Sequence, residues 1–226
     1  MKINKYRTIV LSRTNYGESD RIATLLTNDG HKISVIAKGV RKPKSKLVCS
    51  VELFCVSDIT TASGKSSLAT ITGAKLHKQY TGFLNDLEKV HFAYDIVKYI
   101  NKTTDDSLEP AFFNILNSAL ESLHQDIPLT LVSLVAWSHL LQLHGSGLQL
   151  KKQTTGAGFK EGASYAFDYE NGGFIESESG VFSPEHIKLV QLAQKHSAKQ
   201  LTVAKDAANF AHDLHPTIKK FVETTY

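Results

Sequence analysis

Cysteine is almost absent from this 226-residue sequence: only Cys49 and Cys55 occur, and there is no Cys-x-x-Cys pair. The two fall on what reads as one strand, where even spacing puts them on one face. At ~3.3 Å per residue they stand about 20 Å apart, out of reach of a disulfide. They read as buried, reduced thiols of a cytoplasmic protein. Long apolar runs are lacking too. Met-Lys-Ile-Asn-Lys-Tyr-Arg at the start has no signal-peptide core, and the most apolar stretch, Leu129 to Leu143, is interrupted by Ser133, Ser138, His139 and Gln142. It is too short and too polar to span a bilayer, so no membrane association is expected.

The patterns of catalysis and metal binding are also missing. Ten histidines are present, yet no His-x3-His or His-Glu-x-x-His occurs. His139 and His144 are five apart and do not share a helix face; His212 and His215 read as surface or capping residues. Gly145-Ser-Gly147 lacks the strand that precedes a nucleophile elbow, and Ser63-Gly64-Lys65-Ser66 lacks the upstream glycine of a phosphate-binding loop. Glu18 and Asp20 lie close in sequence to Arg13 and Arg21, which reads as salt bridging at a strand entrance rather than acid–base chemistry. No enzyme, metal or cofactor is expected.

What is present is a strong charge asymmetry. Residues 1–80 hold 14 Lys and Arg against 5 Asp and Glu, a formal +9, and residues 81–226 hold 12 against 17, a formal −5. A basic first third joined to an acidic remainder points to a polyanion-binding module, with nucleic acid as the expected polyanion. The cations concentrate in Lys38, Arg41, Lys42, Lys44 and Lys46, within Lys38-Gly-Val-Arg-Lys-Pro-Lys-Ser-Lys46. Pro43 stiffens the backbone, so this segment reads as a partly rigid arch of cations. Arg13, Arg21 and Lys65 are further candidates for nucleic-acid binding in the same module, and Tyr6, Tyr16 and Phe54 are the available aromatic platforms.

Periodicity divides the chain at about residue 80. Tyr6–Arg13, Asp20–Thr27, Lys32–Lys38, Ser50–Thr61 and Ser67–Lys75 read as five short strands, the second and third joined by Asn28-Asp29-Gly30, which carries hairpin-turn chemistry. Five such strands suit a small closed barrel of the OB-fold type, because closure removes exposed edges. From Gly82 the period becomes helical. Leu87, Val90, Tyr94 and Val97 form one stripe, with Phe92, Ile96 and Tyr99 on a second flank. Ser107 is the expected cap of a second helix, and Pro128 starts a third that stops near Gly145. Residues of about 146–182 form a glycine-rich insertion with at most a small hairpin, Tyr165–Asp168 and Gly173–Ile175. Ser183-Pro184-Glu185 opens a fourth helix, and Lys205–Phe221 is a fifth. The expected class is therefore α+β: an OB-fold barrel over 1–80 and a helical domain over 81–226 with a loop-rich insertion.

The first domain also carries a resemblance. Ile9-Val-Leu, Gly17-Glu-Ser-Asp-Arg-Ile-Ala-Thr-Leu-Leu-Thr27, Gly30-His-Lys-Ile, Ala37-Lys-Gly-Val-Arg41 and Lys44-Ser-Lys-Leu47 resemble, in order and spacing, the N-terminal domain of the RecO family of recombination mediators. The resemblance implies an OB-fold that binds single- and double-stranded DNA and anneals complementary strands in the bacterial cytoplasm, at the nucleoid. It also implies partnership with RecR and single-strand-binding protein, so that RecA is loaded at gaps. Arg21, Lys38, Arg41, Lys44 and Lys46 fall on the matching basic motif. Many members bind zinc through two Cys-x-x-Cys pairs in the insertion. Here the corresponding places hold Lys152/Thr155 and Glu176/Ser179, so zinc is not expected. Charge and fold alone leave two rivals: an OB-type RNA-binding accessory of translation or RNA processing, and a protein–protein adaptor working through the acidic helical domain.

Overall fold

The structure, a computed structural model, describes residues 2–63, 68–103 and 109–225. Lys65, Ser107 and Leu108 lie outside the described residues. Contacts divide the chain into two compact units, residues 1–124 and 125–226.

In the first unit, β1 (Lys2–Tyr16), β2 (Asp20–Thr27), β3 (Lys32–Ala37), β4 (Cys55–Ser63) and β5 (Ala69–Gln79) close into a barrel of order β1-β2-β3-β5-β4. All pairs are antiparallel except the short β3–β5 contact, Val35↔Ala69 and Ile36↔Thr70. This is the strand order of an OB-fold. Alternation drives the closure: Ala23 and Leu25 of β2, Val35 and Ala37 of β3, Val10, Ile59 and Ile71 all point into one buried cluster. The β2–β3 turn forms at the Asn-Asp-Gly sequence, where the Gly30 N–H donates to the Thr27 carbonyl at 3.1 Å.

The fourth strand starts later than the sequence pattern implies. Val48–Val51 form a 3₁₀ turn, and Phe54 adopts φ +62 before β4 begins at Cys55. Apolar alternation at Val51, Leu53 and Cys55 imitates one strand, but Val51 lies in the 3₁₀ turn and Leu53 in the turn after it, and only Cys55 is in the strand. Cys49 and Cys55 are accordingly not on one strand. Cys49 is exposed and Cys55 buried.

Two helices belong with the barrel: α1 (Leu87–Thr103) and α2 (Pro110–His124). Asp86 caps α1, its Oδ1 accepting from the Glu88 and Lys89 N–H groups at 3.1 Å. The buried face of α1 is Phe92, Ala93, Ile96, Val97, Tyr99 and Ile100, while Leu87 and Tyr94 are exposed. Both stripes have helical period; the fold buries the second flank together with Val97 of the first. α2 is tied to the barrel exit by His124, whose Nδ1 accepts from the Thr81 and Gly82 N–H groups at 3.2 and 2.9 Å, and by the Tyr80 hydroxyl donating to Asn117.

The second unit is built around α3 (Leu129–Leu143), which is apolar nearly all round and so is central rather than amphipathic. It ends in a Schellman motif: Gly145, at φ +78, donates to Gln142, and Ser146 donates back to Leu141. A hairpin of β6 (Tyr165–Asp168) and β7 (Gly173–Glu176) follows, then α4 (Pro184–Ala193), the single turn α5 (Ala198–Leu201) and α6 (Ala207–Thr225). Ring contacts from Phe167 to Phe174 and Phe221, and from Phe182 to Phe174 and His186, join the hairpin to α4 and α6. The predicted fifth helix is thus α6, and α5 was not foreseen.

Candidate nucleic-acid interface

The cationic segment is the connection between β3 and the 3₁₀ turn, and it is anchored rather than loose. Val40, lying among cations, is 1 % exposed and belongs to the barrel core. Gly39, at φ +63, turns its N–H to Asp20 Oδ1 at 2.7 Å. The Arg41 N–H donates to the Ser19 carbonyl at 2.9 Å, and its guanidinium to the Gly17 carbonyl at 3.3 Å. Within the segment, Ser45 N–H donates to the Lys42 carbonyl. The tip of the β1–β2 hairpin therefore serves as a brace for the loop.

From this braced loop Lys38, Arg41, Lys42, Lys44 and Lys46 are all exposed. Residues 38–46 contain no acid, and none of these five cations is ion-paired among the described residues. A run of cations with no acid among them on a fixed backbone produces a local positive potential that favours an external anion. Backbone preorganisation lowers the ordering cost of gripping a phosphate chain.

Arg13 and Arg21 do not join this group. On the β1–β2 ribbon, Arg13↔Ala23 and Asn15↔Arg21 share one face, and Tyr16↔Asp20 the other. Arg13 and Arg21 both reach Glu52, at 3.1 and 2.7 Å, and the Arg21 side chain is only 13 % exposed. The salt bridging foreseen near Glu18 and Asp20 is therefore made by Glu52 instead, and Asp20 serves as the loop's hydrogen-bond acceptor. Elsewhere on the barrel, Arg7 donates to Asp58 at 2.9 Å and holds that carboxyl below the usual range. Val40 and Glu52 are the residues missed by sequence reasoning, and Asp20, expected to pair with an arginine, instead holds the loop backbone. Val40 had one legible signal, being the lone valine in a run of cations.

The insertion is held by side-chain contacts of its own. Glu176 accepts from Lys160 Nζ at 2.8 Å, and its N–H donates to Gln153 Oε1 at 2.9 Å. Gln153, 4 % exposed, donates in turn to the Gly158 carbonyl. Lys152, Thr155 and Ser179 are exposed and supply no thiolate. Among the described residues no group of three His, Cys, Asp or Glu converges. These residues do not fit zinc. A buried amide and an ion pair connect the segments that zinc would join.

No helix of the described residues is long and apolar enough to cross a membrane. Fold and surface together define an OB-fold protein with a cationic loop and a helical unit bearing a small hairpin insertion. Residues 1–80 match the family model described as recombination protein O, N terminal. The chain is 30% identical over 199 residues to the DNA repair protein RecO of Dehalococcoides mccartyi strain 195, covering 85% of this chain and 78% of that one. It is 25% identical over 192 residues to the RecO of Bacillus mycoides (84% and 76% covered), and 35% identical over 101 residues to that of Acetivibrio thermocellus (45% and 40% covered). This chain belongs to the RecO family of DNA repair proteins.

Proposed function

We propose that this chain is a non-enzymatic mediator of recombinational repair that binds single- and double-stranded DNA through the braced loop and anneals complementary strands. With RecR it would help load RecA onto DNA covered by single-strand-binding protein. The observation that carries the reading is the set of five exposed, acid-free cations at Lys38, Arg41, Lys42, Lys44 and Lys46. Family membership supports DNA as the polyanion. Contacts of this kind hold a strand by its phosphates without reading its sequence, which suits a protein that must pair any two complementary strands. Lys65 is proposed as a further contact. Arg13 and Arg21 are secondary, because Glu52 already neutralises part of their charge.

Annealing of complementary oligonucleotides at low salt tests the proposal, with a variant carrying Lys38→Glu, Arg41→Glu, Lys44→Glu and Lys46→Glu for comparison. The expected result is rapid annealing by the native chain and loss of it in the variant. Equal annealing by both would reject the residue assignment. Competition by RNA of equal length separates this reading from an RNA-binding one, which a marked RNA preference would favour.

A further inference from the structure

We propose that Tyr16 is the platform on which an unpaired base stacks, so that the interface favours single strands over duplexes. The inference rests on the nucleic-acid reading of the braced loop and specifies the form of strand it takes.

Three observations carry it. Tyr16 and Asp20 are directly opposite in the β1–β2 register, and residues paired in this way present their side chains on one face. Asp20 uses that face to hold the Gly39 N–H. The Tyr16 ring therefore emerges on the side of the hairpin that carries the basic loop, opposite to Arg13 and Arg21. Secondly, Tyr16 is 56 % exposed at the hairpin tip, and among the described residues it makes no side-chain hydrogen bond and no ring contact. Gly17 beside it adds no bulk, since even a Cβ there would meet no described atom within 4 Å. Thirdly, the other aromatic side chains considered for this role are withdrawn from it. Tyr6 is half-buried, and Phe54 is buried edge-on against Phe83 and Tyr94.

The placement joins two kinds of contact. The Arg41 guanidinium bonds the carbonyl of Gly17, the residue after Tyr16, so a cation is held at the same hairpin tip that carries the ring. A strand whose phosphates run along Lys38–Lys46 would bring a base to the ring. A duplex keeps its bases stacked internally and offers the ring no face. Stacking is sequence-tolerant because every base has a π-face.

The test is a fluorescence-anisotropy titration of the full chain, with Tyr16→Ala and Tyr16→Phe variants, over several salt concentrations. The probes are an oligothymidylate of about 20 nucleotides, longer than an OB-fold site, and a duplex of the same length. Tyr16→Ala is expected to weaken single-strand binding roughly 5- to 150-fold at every salt concentration, the range of one lost base–aromatic stack. The slope of log K against log salt stays as in the native chain, because no phosphate contact is removed. Duplex affinity changes by less than about twofold, no stack being lost there. Tyr16→Phe binds like the native chain. Unchanged single-strand affinity in Tyr16→Ala, or equal losses on both probes, overturns the inference. A native chain that binds neither probe overturns the nucleic-acid reading itself, and stacking falls with it.

Discussion

Because Glu52 accepts from both Arg13 and Arg21, a change at this one carboxylate should release two cations at once. Glu52→Gln is expected to cost roughly 1–3 kcal/mol of stability, since the half-buried Arg21 guanidinium loses a charged partner. The same variant removes a negative charge from the barrel and should bind DNA more tightly at low salt through the stronger positive field, with an unchanged salt slope because both arginines lie on the face opposite the basic loop and add no phosphate contact. Denaturant unfolding and a salt titration check the two halves. The thiols give a second expectation at this scale. Burial pushes the Cys55 thiol up to about 11, whereas Cys49 is on the surface. Only thiolates react readily. A thiol reagent at neutral pH should therefore modify Cys49 alone in the native chain, and Cys55 as well after denaturation. Rapid modification of both in the native chain would contradict the burial of Cys55.

Among the elements, the basic loop and the insertion hairpin each depend on one buried side chain. Val40 anchors the loop in the core, so Val40→Ala should cost about 1–3 kcal/mol and raise amide exchange across residues 38–47. Gln153 links the turn at Gly158 to Glu176. Gln153→Ala is expected to cost about 1–3 kcal/mol by leaving these groups unpaired, and limited proteolysis should then cut the insertion first. Adding zinc should not restore resistance. Lys160 donates to Glu176 and holds its carboxyl below the usual range, while its own value is raised by the same contact. The link is therefore complete above the ordinary carboxylate range and lost as pH falls through the depressed Glu176 value. On the alkaline side it persists until pH passes the raised lysine value. Exchange protection in the hairpin should follow that window.

These elements were not equally legible. β2, β3 and their turn follow from strict alternation and Asn-Asp-Gly, which are local signals. The start of β4 was not, because Val51, Leu53 and Cys55 keep strand spacing through a 3₁₀ turn. α5 had a signal that went unused: Ser197 and Gln200 form a capping box. The cations of residues 38–46 could be read directly. Their separation from Arg13 and Arg21 could not, because it depends on Glu52, which is 39 and 31 residues distant in sequence. Only closure of the barrel brings that carboxylate to the two arginines.

For the whole molecule, a net charge of +4 conceals a barrel-side excess concentrated on one braced loop. That arrangement separates the two components of binding, the phosphate grip of Lys38–Lys46 and the proposed stack on Tyr16, since only the first depends on salt. The most direct measurement is the affinity for oligothymidylate as a function of salt, for the native chain and for the variant with Lys38, Arg41, Lys44 and Lys46 changed to Gln. The native chain should give a slope of about −3, as expected for four to five neutralised phosphates at ~0.7 each, and the variant, which keeps Lys42, a slope shallower than about −1. A steep slope that survives in the variant, or a native slope near zero, would contradict the claim that this loop grips the strand by charge.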